Sequence, residues 1–224
     1  MTTNWSKTQR IALTGMFGAI IFLLTFTPLG FLPTPFGISV TIVHIPVIIG
    51  AIILGPKYGA ILGFMFGMAS FIFASTLSVM LSAFIFTPLR PVPGTDSGSP
   101  WALLVAFGPR ILVGIVAPLV YYGMKKILPA KLDTMSLAVA GIIGSATNTL
   151  LVLHLMYFMF REPWSYGRAA AGVEGAQITY TFIAGMIFTG GIPEAIAAAI
   201  IVPAVCVALF AVSKRLTSTR TARG

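Results

Sequence analysis

Six long apolar stretches, separated by short clusters of glycine, proline and charge, set the pattern of the chain: residues 11–27, 38–54, 58–86, 101–124, 135–160 and 192–212. As helices, each is long enough to cross a hydrocarbon core about 30 Å thick, the first two being near the lower limit. Continuous runs of this kind differ from the alternating ten-residue segments of an outer-membrane barrel. The pattern therefore predicts an all-α membrane protein, one six-helix transmembrane domain over residues 1–224, with both termini on the same side.

Composition agrees with that reading. Apolar residues make up 57% of the 224 positions and charged residues only 8%, against about 25% charged in a soluble domain. The first stretch follows Lys7 and Arg10 like the core of a signal peptide, but no small-x-small cleavage site follows it and five more apolar stretches do, so it is expected to stay as a helix. A net charge of +9 would suggest nucleic acid in a soluble protein. Here the charges sit in the connections and report topology, so no nucleic-acid partner is expected, only membrane lipid. With the N-terminus inside, Lys7, Arg10, Lys57, Lys125, Lys126, Lys131, Lys214, Arg215, Arg220 and Arg223 lie on the inner side, and only Arg90, Arg161 and Arg168 on outer connections. That bias places both ends in the cytoplasm of a bacterial cell membrane. Cys206 stands alone in the last apolar stretch and reads as a small buried thiol.

The outer connections are the elaborate ones. "PLGFLPTPFG" (28–37) and "TPLRPVPGTDSGSP" (87–100) are rich in turn formers and are expected to be non-helical. The stretch 161–191 joins "REPWSYGR" to a semi-apolar segment, 178–188, too short to span and expected to lie at the interface or fold back over the bundle. By contrast "GPKYG" (55–59) is a tight inner turn. Long loops gathered on one face point to function there. No internal repeat is apparent, which weighs mildly against a self-sufficient secondary transporter.

Small residues mark two helix faces. Ala12, Gly15 and Ala19 flatten one side of the first helix, either for internal packing or for docking a partner subunit. Gly59, Gly63 and Gly67, at four-residue intervals, predict a face pressed against another helix.

The polar residues within the apolar stretches are few, and each has a structural and a functional reading. Pro46 frees the carbonyl of Ile42, so His44 either satisfies that broken helix or meets a ligand. Asn148, flanked by Thr147 and Thr149, needs a partner at mid-depth, across helices or in a substrate, and His154 lies nearer the outside on the same helix. Pro193 and Glu194 look like the first turn of the last helix, where a carboxylate complements the dipole; alternatively Glu194 pairs with Arg110 or hydrogen-bonds a ligand. A metal site is not expected, because no His, Cys and carboxylate set gathers in any stretch.

Arg110, in "AFGPRILVGIVAPLVYY" (106–122), is the costliest residue. An arginine at mid-membrane costs about 2.5 to 3.5 kcal/mol on insertion scales. Either it snorkels to the headgroups, or it points into a cavity where its planar fork suits a carboxylate. Arg90 and Trp164, on outer connections, complete the candidate substrate-binding set of Arg110, Asn148, His44, His154 and Glu194. No catalytic residue set is apparent; Glu194 is the only acid within a helix, which disfavours an intramembrane enzyme.

"TIVHIPVIIGAIILGPKYGAILGFMFG" (41–67), the small-residue face of the first helix, "GPRILVG" (108–114) and "TNTLLVL" (147–153) together resemble the substrate-binding S components of energy-coupling factor (ECF) vitamin transporters, over nearly the whole chain and closest to the pantothenate-type branch. The resemblance implies a subunit that captures a vitamin in an outward-facing pocket, with pantothenate favoured and cobalamin the alternative. It also implies docking through the face of Ala12, Gly15 and Ala19 onto a transmembrane coupling subunit and two cytoplasmic ATPases; glycine replaces the usual first alanine of that family motif. No P-loop occurs in the chain. ATP is therefore expected to bind those partners, and no cofactor is expected here.

Overall fold

The computed structural model describes residues 5–28, 30–33 and 39–221. Its elements run α1 (Lys7–Thr25), a hairpin of β1 (Phe31–Pro33) and β2 (Ser39–Thr41), α2 (His44–Leu54), α3 (Pro56–Thr76), α4 (Trp101–Ile127), α5 (Asp133–Ala170), α6 (Tyr180–Met186), a π-helical turn (Ile187–Gly191) and α7 (Ile192–Thr221). Five helical paths are long and apolar enough to cross a membrane, and α2 is a sixth, shorter apolar helix. Arg223 lies outside the described residues, as do parts of the 28–37 connection.

Helices separated by a turn or loop run in opposite directions, with α6, the π turn and α7 as one path. One end of the bundle therefore carries the hairpin, the 77–100 connection and the 171–179 connection, while the other carries only the turn at Gly55 and the short link before Asp133. At that closed end Lys125 Nζ donates to the Tyr121 hydroxyl at 3.0 Å and lies 3.3 Å from Asp133, and Tyr121 in turn donates to Asp133 at 3.1 Å.

All eleven residues of α2 are buried. At about 1.5 Å per residue it rises about 16 Å, half a bilayer core, and it packs against α1, α3, α4, α5 and α7 as a central peg. The predicted span from residue 38 is thus shortened, because Ser39–Thr41 pair antiparallel with Phe31–Pro33 instead of continuing the helix. Pro46 consequently sits in the first turn of α2, where its missing N–H has no intrahelical partner to lose. The Ile42 carbonyl is not freed either: it accepts from Ile45 N at 3.0 Å.

Two further boundaries depart from the sequence reading. The "REPWSYGR" stretch is helical, part of a 38-residue α5, because Phe160, Trp164 and Gly167 at helical spacing form a buried face under the loops. Residues 180–191 neither lie flat nor fold back; Thr179 caps α6 and the helical path continues through the π turn into α7. Pro193 and Glu194 are therefore inside a helical path, and dipole capping does not explain the carboxylate.

The glycine stripe of α3 does face another helix, α4. A Cβ at Gly59, Gly63 or Gly67 would collide with, respectively, the carbonyl oxygen of Gly114, the carbonyl oxygen of Arg110, or the Phe107 ring. The two backbones therefore touch along the segment that carries Arg110, as small-residue packing in lipid requires. On α1 the arrangement is the reverse. Ala12, Gly15 and Ala19 are exposed, and a Cβ at Gly15 would meet nothing within 4 Å. Internal packing does not occupy that face.

Candidate functional site

Arg110 is buried, 4% exposed, in a helix whose outward positions Leu104, Leu112 and Leu119 are 42–54% exposed and suited to lipid. It does not snorkel. With its backbone pinned against Gly63, the side chain turns into the bundle and lies between two rings, 5.3 Å from the Phe66 centroid and 5.1 Å from that of Phe86. One terminal nitrogen donates to the Val105 carbonyl at 2.6 Å, while Nε has no protein partner. Cation–π contact of this kind contributes about 0.5 to 2 kcal/mol, which offsets only part of the cost of the charge.

The guanidinium opens onto a cavity of about 100 Å³ at the level between the two apolar clusters, one ending on α4 at Val113 and the other at Val105. Its walls come from β2 (Thr41), α3 (Ser70, Ala74), the 77–100 connection (Ser78, Ser82, Phe86), α5 (Asn148, Thr149) and α7 (Glu194).

Glu194 ties three of those walls together. One carboxylate oxygen accepts the Thr41 N–H and the other accepts the Thr149 hydroxyl. The π turn just upstream carries the wider helical register that sets which side of α7 faces the hairpin and α5. Glu194 and Arg110 share the cavity without forming an ion pair with each other, unlike Lys125–Asp133 and Arg161–Glu162. The Asn148 Oδ1 is buried with no partner, and so is the Ser70 hydroxyl. With no protein partner, both groups remain able to hydrogen-bond a molecule in the cavity.

Of the residues singled out from the sequence, Arg110, Asn148 and Glu194 converge on this cavity. His44 is fully buried at the start of α2, both ring nitrogens lacking a partner of good geometry although the Thr41 backbone is close; it does not line the cavity. His154 faces away from it, with Nδ1 2.7 Å from the Leu150 carbonyl and its ring edge-on to Tyr180. Trp164 is a core residue, 1% exposed and edge-on to Phe182, and Arg90 is half-buried in the 77–100 connection; neither lines the cavity. Sequence reasoning missed the small hydroxyl residues Thr41, Ser70, Ser78 and Ser82. Their types are common everywhere, and only the turn of the chain after α3 brings the two later serines inward.

The family model for the ECF transporter substrate-specific component matches residues 9–206. The chain belongs to that family: it is a multi-pass membrane protein and the substrate-binding subunit of a transporter, not an enzyme. It is 38% identical over 192 residues, 84% of this chain and 94% of the other, to the pantothenic acid transporter PanT of Lactococcus lactis subsp. cremoris (strain MG1363). Among solved structures it is similar to an S component of a bacterial ECF transporter, with a TM-score of 0.49 and 21% identity over 96% of this chain and 98% of that one.

Proposed function

We propose that this chain captures pantothenate in the Arg110 cavity and delivers it to a transmembrane coupling subunit and two cytoplasmic ATPases, which bind the ATP. The observation that carries the reading is a buried guanidinium with an unpartnered Nε, at a cavity whose mainly apolar lining is broken by hydroxyls, an amide and the Glu194 carboxylate. Pantothenate offers one carboxylate to such a fork, and an amide and two hydroxyls to the remaining groups. The name of the Lactococcus lactis relative supports the same substrate. Cobalamin has less support, because the 161–191 segment is mostly helix and offers no long outer loop to a ligand of that size.

Orientation follows from charge: the loop end faces outward and both termini are cytoplasmic, the arrangement that keeps ten of the fourteen Lys and Arg residues inside. The exposed face of Ala12, Gly15 and Ala19 is the docking surface for the coupling subunit, since close helix approach in lipid needs small residues and nothing in this bundle uses them.

Calorimetric titration of the protein in nanodiscs tests the substrate. Pantothenate is expected to bind one to one, Arg110→Ala to weaken it at least about 100-fold, equivalent to about 2.7 kcal/mol, and Arg110→Lys to fall between because it keeps charge without the fork. Absence of pantothenate binding, or equal affinity in Arg110→Ala, contradicts the reading.

A further inference from the structure

We infer that Glu194 excludes from the cavity ligands that carry more than one negative charge, so that a phosphate monoester of the same molecule is rejected; the inference rests on the substrate reading above. The charges that line the cavity are one of each sign, Arg110 and Glu194. They are not in contact with each other, so the arginine is left to compensate an incoming anion while the glutamate stays in place. Both donors to Glu194, the Thr41 N–H and the Thr149 hydroxyl, suit an ionised carboxylate, which only accepts.

Charge counting then sets the ligand class. A monocarboxylate with an uncharged tail leaves the cavity one negative charge in excess, held directly on the guanidinium. A phosphate monoester adds about 1.5 to 2 further negative charges. Every remaining wall among the described residues is neutral, so the second anion meets no cation in a cavity that also holds Glu194. Like charges confined in a poorly hydrated site repel far more strongly than in water. Selection of this kind works by repulsion built against the wrong ligand rather than by extra attraction for the right one. It holds whichever way round the tail lies, because no second cation lines the cavity among the described residues.

Neutralising the carboxylate without changing its shape isolates the effect. Gln retains an acceptor for Thr41 and a donor for Thr149, so Glu194→Gln keeps the walls joined. The readout is the ratio of Kd for 4′-phosphopantothenate to Kd for pantothenate, from competition titrations on the full-length protein in nanodiscs. The wild-type ratio is expected to be at least about 100, and Glu194→Gln to lower it at least about tenfold, or about 1.4 kcal/mol. Glu194→Asp, which keeps the charge, and Thr149→Val, which removes a hydrogen bond but no charge, are expected to retain the wild-type ratio. A wild-type ratio near one, an unchanged ratio in Glu194→Gln, or an equal fall in Thr149→Val overturns the inference while pantothenate binding and its Arg110 dependence stand. Loss of pantothenate binding in the wild type itself overturns the substrate reading as well.

Discussion

A buried charge and a buried orphan amide are opposite kinds of evidence about the same cavity. Arg110 was legible in the sequence because its insertion cost is large and no acid stands beside it in the chain. Asn148 was legible for a similar reason. Glu194 was half legible: Pro193 read as a helix start, and only the continuity of α6, the π turn and α7 shows that the carboxylate has another role. If Asn148 is kept for ligand rather than for packing, Asn148→Leu removes an unpartnered acceptor, and the melting temperature of the ligand-free protein should not fall. Pantothenate affinity in the same variant should weaken about tenfold, the loss of one hydrogen bond of about 1.4 kcal/mol. Thermal unfolding and titration of one preparation check both; a large loss of stability with intact binding would assign Asn148 to packing.

Glycine spacing in α3 predicted a packed face correctly, and the consequence is specific: with α3 and α4 in backbone contact at Gly63 and Arg110, the arginine side chain has only the interior to enter. The same kind of pattern on α1 allowed packing or docking, and the periodicity alone does not distinguish them, since both need small residues four apart. Exposure of Ala12, Gly15 and Ala19 favours docking. Gly15→Leu has space on all sides and is expected to leave folding and pantothenate binding intact. In cells producing the complete transporter it should reduce ATP-dependent pantothenate uptake at least about tenfold. Unchanged uptake would remove this face from the partner interface.

At the scale of the whole molecule, six helices and the gathering of long connections at one end could be read from hydrophobic pattern and turn chemistry. The peg-like α2, the 38-residue α5 and the hairpin could not. A strand pairing depends on which distant residue lies opposite, and the polar residues of "REPWSYGR" hide a buried helical face that only the covering loops create. His154 and Trp164 do not line the cavity for a related reason: depth along a helix is visible in sequence, but the direction of a side chain around it is set by neighbours. The assembled architecture makes one demand, that a closed end of short turns supports a cavity with a few convergent polar groups beneath the long connections, with Arg110 as its only lining cation among the described residues. A structure determined with pantothenate bound tests that demand most directly. The ligand carboxylate should lie within hydrogen-bonding distance of the Arg110 guanidinium, in the space lined by Asn148, Thr149 and Glu194. A ligand seated elsewhere, or an Arg110 turned out toward the acyl chains, would contradict the account.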